Sequence, residues 1–148
     1  MSLLQKLSIV GLGCLSICLA GCAEKSTEVQ VTGEVSINGK RIPNGMISFV
    51  DKDGVAPTGG GVIQDGKYTA LVEPGSKTVL VLGNEVVGEE PEYQGVADSP
   101  MRKVYKTLTP TKYNAAHQSD LTADIKGPQD GLNFELTGNA PTIDDRAR

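Results

Sequence analysis

The chain holds one histidine and three cysteines, so its capacity for nucleophilic or metal chemistry can be surveyed residue by residue. His117 sits in Asn114-Ala115-Ala116-His117-Gln118-Ser119, with Asp120 next. These are the residue types of a hydrolytic relay. Such a relay needs an imidazole held between two oxygens, which close neighbours in one polar loop rarely achieve; a solvated histidine is expected. Asp51-Lys52-Asp53-Gly54 opens like a calcium loop, yet residues 55–62 supply no carboxylate to complete the oxygen shell. Gly59-Gly60-Gly61 lacks the Lys-Ser/Thr and the helix N-terminus of a phosphate cradle, and is expected to be a flexible bend. One histidine cannot build a histidine-based zinc site. The expectation is a chain with no catalytic residue, no metal, no cofactor and no enzyme activity.

Cys14, Cys18 and Cys22 all lie near the start, so nothing downstream can form a disulfide or a thiolate metal site. Lys6 and the free amine precede a short apolar run from Leu7 to Ala20, broken by Gly11 and Gly13. That run is shorter than the about 20 apolar residues of a spanning helix and has the layout of a signal peptide. Leu19-Ala20-Gly21-Cys22 resembles the lipobox of bacterial lipoprotein precursors. The resemblance implies cleavage before Cys22, acylation of its thiol and new amine with chains such as palmitate, and attachment to a membrane. Two or three acyl chains, at about 0.8 kcal/mol per buried CH₂, hold a protein stably on a bilayer. Ala23 in place of aspartate after the acylated cysteine implies an outer-membrane address within the cell envelope.

The chain carries 14 Lys+Arg against 18 Asp+Glu, and loss of residues 1–21 removes Lys6 but no carboxylate. An acidic chain is a poor partner for nucleic acid. With a tether at 22–28 and a polar tail at 138–148, which is expected to be disordered, roughly 100 residues remain for one small domain at 29–137.

Within that span the period is two. Val29, Val31, Val35 and Ile37 alternate with polar residues; Asn38-Gly39 and Asp65-Gly66 are hairpin turns; Ile47 and Phe49 face a core; and Tyr68, Ala70 and Val72 share a face. Lys77 to Leu82 is nearly continuous and predicts a strand buried on both sides. Leu121, Ala123 and Ile125, then Leu132, Phe134 and Leu136, give the last strands. The pattern predicts an all-β sandwich closed by Greek-key connections. The interval 83–120 is expected to be one long loop, acidic at first (Glu85, Glu89, Glu90, Glu92) and then basic (Arg102, Lys103, Lys106). Ser99, Pro100 and the spacing of Met101, Val104, Tyr105 and Leu108 predict a two-turn helix inside it.

Val31-Thr32-Gly33-Glu34-Val35, Asn38-Gly39-Lys40-Arg41-Ile42-Pro43-Asn44-Gly45, Asp65-Gly66-Lys67-Tyr68-Thr69 and Asn133-Phe134-Glu135-Leu136, taken in that order, resemble carboxypeptidase regulatory-like, transthyretin-like domains of small envelope lipoproteins in planctomycete-type bacteria. The resemblance covers about 29–137 and implies an Ig-like or transthyretin-like Greek-key sandwich of about seven strands at the cell envelope, without an established activity. The leading expectation is a noncatalytic, membrane-anchored structural, adhesion or assembly module with an envelope protein or glycan as partner. The alternative is a small-ligand or glycan receptor using the 51–61 and 84–120 loops, with Tyr93, Tyr105 and Tyr113 as its aromatic contacts. A pocket collecting these tyrosines favours the receptor; tyrosines packed inward favour the structural module.

Overall fold

In the computed structural model, residues 27–141 are described. The expected signal peptide at 1–21, Cys22 and the end of the tail lie outside them.

The strands are β1 (Val29–Ile37), β2 (Lys40–Arg41), β3 (Asn44–Asp51), β4 (Gly59–Gln64), β5 (Lys67–Val72), β6 (Gly75–Pro91), β7 (Met101–Thr107), β8 (Thr122–Ile125) and β9 (Phe134–Leu136). The domain is all-β. Its sheet runs β2-β1-β5-β4-β3-β6-β7, with β8 against β6 and β9 against β1. All pairings between these strands are antiparallel except β9 on β1.

β1 turns the sheet on itself. Its first six residues pair with β5, whereas Val35 to Ile37 pair with β9. The curl traps Phe49, Tyr68 and Phe134, whose ring centroids lie 6.1–6.4 Å apart, among buried Val31, Val35, Ile47, Val79 and Val81. The turns follow from their residues: Asn38 (φ 49°) with Gly39 (φ 77°), and Asp65 (φ 50°) with Gly66 (φ 79°), supply the paired positive φ of a tight hairpin.

Four expectations need correction. Gly59-Gly60-Gly61 is strand, not a flexible bend; a Cβ at Gly61 would strike the Thr69 carbonyl oxygen, and one at Gly60 would lie 2.7 Å from that of Ile47. Glycine is here because neighbouring backbones press close. The segment 77–82 is not buried on both sides: Lys77, Val79 and Val81 point inward, while Leu82 is 42 % exposed.

The helix at 99–108 is absent, and the 83–120 interval is not one long loop, since 83–91 and 101–107 are strand. β6 continues to Pro91 and returns as β7, and the only helical turn among the described residues is a 3-10 turn at Thr111–Asn114. Long-range pairing overrode the local spacing, aided by Val104, Tyr105 and Thr107, which favour strands. Ser99 caps no helix; its hydroxyl accepts from the Tyr93 N–H at 2.9 Å and closes the turn. At the start of the tail, Gly138 exchanges two hydrogen bonds with the Asn38 side chain.

Candidate binding surface

Glu34, Lys67, Gln64, Asn44 and Asn84 stand in one register row across five strands. β3 starts at Asn44, so beyond this row β6 pairs with β7 alone. Glu85–Pro91 and Met101–Thr107 form a two-stranded arm about 20 Å long. Among the described residues, neither outer edge of the arm has a strand neighbour. The arm leaves the sheet at the end opposite Val29: Val29 pairs with Val72, three residues before β6 begins, and β1 and β6 run in the same direction.

The pairing accounts for the charge division in the sequence. Glu85 is opposite Lys106, Glu89 opposite Lys103 and Glu90 opposite Arg102. Glu90 and Arg102 form an ion pair, and Glu85 and Lys106 stand 3.9 Å apart. The acidic strand and the basic strand neutralise each other, with a bulge between Val86 and Gly88. Exposed Val86, Val87, Tyr93, Val96, Met101 and Tyr105 surround these charges.

Tyr105 is therefore on the arm and Tyr93 in the turn at its tip, both more than half exposed, but Tyr113 is not with them. Tyr113 is buried under the 3-10 turn; its hydroxyl donates to the Thr137 carbonyl and accepts the Thr137 N–H, both at 3.2 Å. Its ring lies 4.5 Å below the Lys112 ammonium. It fastens the end of β9 and cannot serve as a surface contact. A cleft of about 510 Å³ opens at the root of the arm, between Glu85, Leu108, Arg41, Pro43 and Asn139. None of the three tyrosines lines it.

The residue types that suggested chemistry have structural roles. The Ser119 hydroxyl donates to the Val79 carbonyl at 2.6 Å, the Asp120 carboxylate meets Lys112 at 3.0 Å, and His117 is exposed. Asp51 receives the fully buried Lys77 ammonium at 2.8 Å on one oxygen and the Val55 and Ala56 N–H groups on the other. The Lys77 hydrogen bond, helped by those two N–H groups, holds its carboxyl down at about 2. An oxygen pair so engaged is not the opening of a calcium shell. Among the described residues, no three His, Cys, Asp or Glu side chains group as metal ligands. The sequence concealed both the arm and the Lys77–Asp51 pair; a charged residue at an inward position of an apolar strand was the one signal for the latter.

No family model and no curated protein matches the chain. A solved structure with some likeness is a 9R-lipoxygenase from Cyanothece PCC8801, at 12% identity and a TM-score of 0.38, over 82% of this chain and 18% of that one. A likeness so distant carries no argument.

Proposed function

We propose that this chain is a noncatalytic lipoprotein of the cell envelope, tethered through acylated Cys22, whose β-domain works as a structural, adhesion or assembly module. The finer architecture proposed is a Greek-key sandwich of the transthyretin-like kind, with β9 and β2 forming the smaller layer. The observation that carries this reading is the opposition of the two ends: the chain enters at Val29, and the exposed arm leaves from the far end of the same sheet. A domain held at the first end on the outer membrane presents the arm away from the bilayer, toward an envelope protein or glycan. Loops and arms on a rigid scaffold are where such folds carry recognition. The receptor alternative loses support because Tyr113 is buried and the cleft gathers no tyrosine.

Intact mass of the membrane-extracted protein is the test of the anchor. The expected mass begins at Cys22 with added acyl chains and loses them in Cys22→Ala. An uncleaved or unmodified chain overturns the proposal. For the arm, replacing residues 85–106 with Asn-Gly should leave a folded, acylated domain that loses its envelope neighbours on crosslinking.

A further inference from the structure

The row formed by Glu34, Lys67, Gln64, Asn44 and Asn84 crosses the outer face of the sheet at right angles to its strands. Glu34 is held by Arg41. The other four side chains form no hydrogen bond or ion pair among the described residues. Asn84 stands in the middle of β6, where asparagine is disfavoured, and folding draws nothing from its amide.

Asn133 extends the row past β1. Its Oδ1 accepts the Glu34 N–H at 2.7 Å, which turns its NH₂ group outward. Thr69, two residues from Lys67 on the same face, adds an exposed hydroxyl without a partner among the described residues. Open clefts of about 480 and 440 Å³ flank Lys67 and Thr69, one toward Gln64 and Val62, the other toward Glu34 and Asn133. Two residues along the strands from the amides, the same face is apolar: Val62, Met46 and Leu82 stand opposite one another and are 42 to 61 % exposed.

The spacing of the row selects its ligand. Neighbouring strands lie about 4.8 Å apart, so the polar side chains repeat at that interval over about 19 Å. An extended peptide rises about 3.4 Å per residue and falls out of step with such a ladder within a few residues. The rings of an extended 1,4-linked glycan follow one another at nearly the strand spacing and stay in step. The chemistry agrees with the spacing. Asn and Gln amides hold a donor and an acceptor side by side, as neighbouring sugar hydroxyls do, and the adjoining apolar row suits the C–H edges of the rings. With Glu34 neutralised by Arg41, a single ammonium remains on the row, which fits hydroxyls better than a polyanion.

We infer that this face binds an extended, uncharged 1,4-linked glycan lying along the row, its hydroxyls on Lys67, Gln64, Asn44 and Asn84 and its ring edges against Val62, Met46 and Leu82. The site is separate from the arm and its tyrosines, and depends on neither the arm's partner nor acylation at Cys22.

The test titrates the full-length chain, as purified from its cells in detergent micelles, with hexasaccharides of β-1,4-linked N-acetylglucosamine and of β-1,4-linked glucose, reading saturation transfer from protein to sugar protons. At least one hexasaccharide is expected to bind with a Kd of about 1 mM or tighter, and at least tenfold more tightly than its own disaccharide, which is too short to follow the row. Asn44→Ala combined with Gln64→Ala, both at exposed positions, lowers that affinity at least tenfold while the melting temperature stays within a few degrees. Should the double variant unfold, Lys67→Ala decides by the same measure. Replacing residues 85–106 with Asn-Gly leaves the affinity unchanged, which keeps a failure here distinct from a failure of the arm's role. No binding of either hexasaccharide, equal affinity for the disaccharide, loss of binding with the arm, or an affinity indifferent to the folded variants overturns the inference.

Discussion

Lys77 has no exposed surface, and its ammonium is held by a single carboxylate, Asp51. Removing Asp51 strands a charge in the interior, which is among the more damaging single changes a small domain can suffer. Asp51→Ala should lower the melting temperature by on the order of 10 °C or more, read by circular dichroism. The pH dependence has a definite sign. The ordinary value for this carboxyl is 3.8 and the folded value about 2, so its contribution is complete above about pH 4 and is lost as pH falls toward 2. Melts between pH 5 and pH 2 should show that loss in the native chain and a flatter profile in Asp51→Asn. Gly61 makes a second claim at this scale. Because its missing Cβ lets the Thr69 backbone approach, Gly61→Ala should cost about 3 kcal/mol in urea unfolding, far beyond the propensity difference between the two residues. An unchanged midpoint would show that the strands can part at little cost.

The arm is the element whose stability is most local. It has two strands, no core of its own and ion pairs that are substantially exposed, and a two-stranded ribbon alone is marginal in water. Exposed pairs of this kind contribute at most about 1 kcal/mol. Amides of Val86 to Glu90 and Arg102 to Lys106 should therefore exchange with deuterium much faster than those of Val79 to Val81, which are held between strands in the sheet. Equal protection in dilute protein would mean that the arm is braced by something beyond its own pairing. The arm also marks the limit of what the sequence discloses. The Asn-Gly and Asp-Gly turns, and the inward residues of β1, β3 and β5, were legible because turn chemistry and alternation act over a few residues. Met101, Val104, Tyr105 and Leu108 satisfy a helical spacing equally well, and only the registered partners Glu85, Glu89 and Glu90 show the segment to be a strand. Those partners lie 12 to 21 residues away along the chain. Gly59 to Gly61 were opaque for a related reason: a glycine run signals a bend unless the closeness of its neighbours is known.

At the scale of the molecule, the curl is closed by contacts between opposite ends of the chain. Val35, Ser36 and Ile37 pair with Phe134, Glu135 and Leu136; the Ser36 hydroxyl donates to the Glu135 carboxylate, and the Gly39 N–H donates to its other oxygen at 2.7 Å. Tyr68, buried so that its hydroxyl is pushed well above the usual tyrosine range, donates to the Leu132 carbonyl at 2.8 Å. Truncation after Asn133 removes Phe134 and Leu136, both core residues, and should abolish the cooperative melt altogether; a shortened chain that still melts sharply would show that β1 to β8 close a core by themselves. The candidate surface was less legible than the fold. Of the three tyrosines, sequence alone could not separate Tyr113, which the 3-10 turn carries inward, from Tyr93 and Tyr105, which the arm carries out.

The pairing of β9 with β1 also sets the order of events under the export proposed above, in which the chain emerges through a pore from its N-terminus. β1 appears first, yet its last strand partner follows about 100 residues later, so no part of the chain can close its core while the rest is still threading. Folding is forced to wait for nearly complete release, and for that interval β1 has an open edge and an uncovered apolar face. With export as proposed, its yield should depend on a holding chaperone on the far side of the pore more than its final stability does.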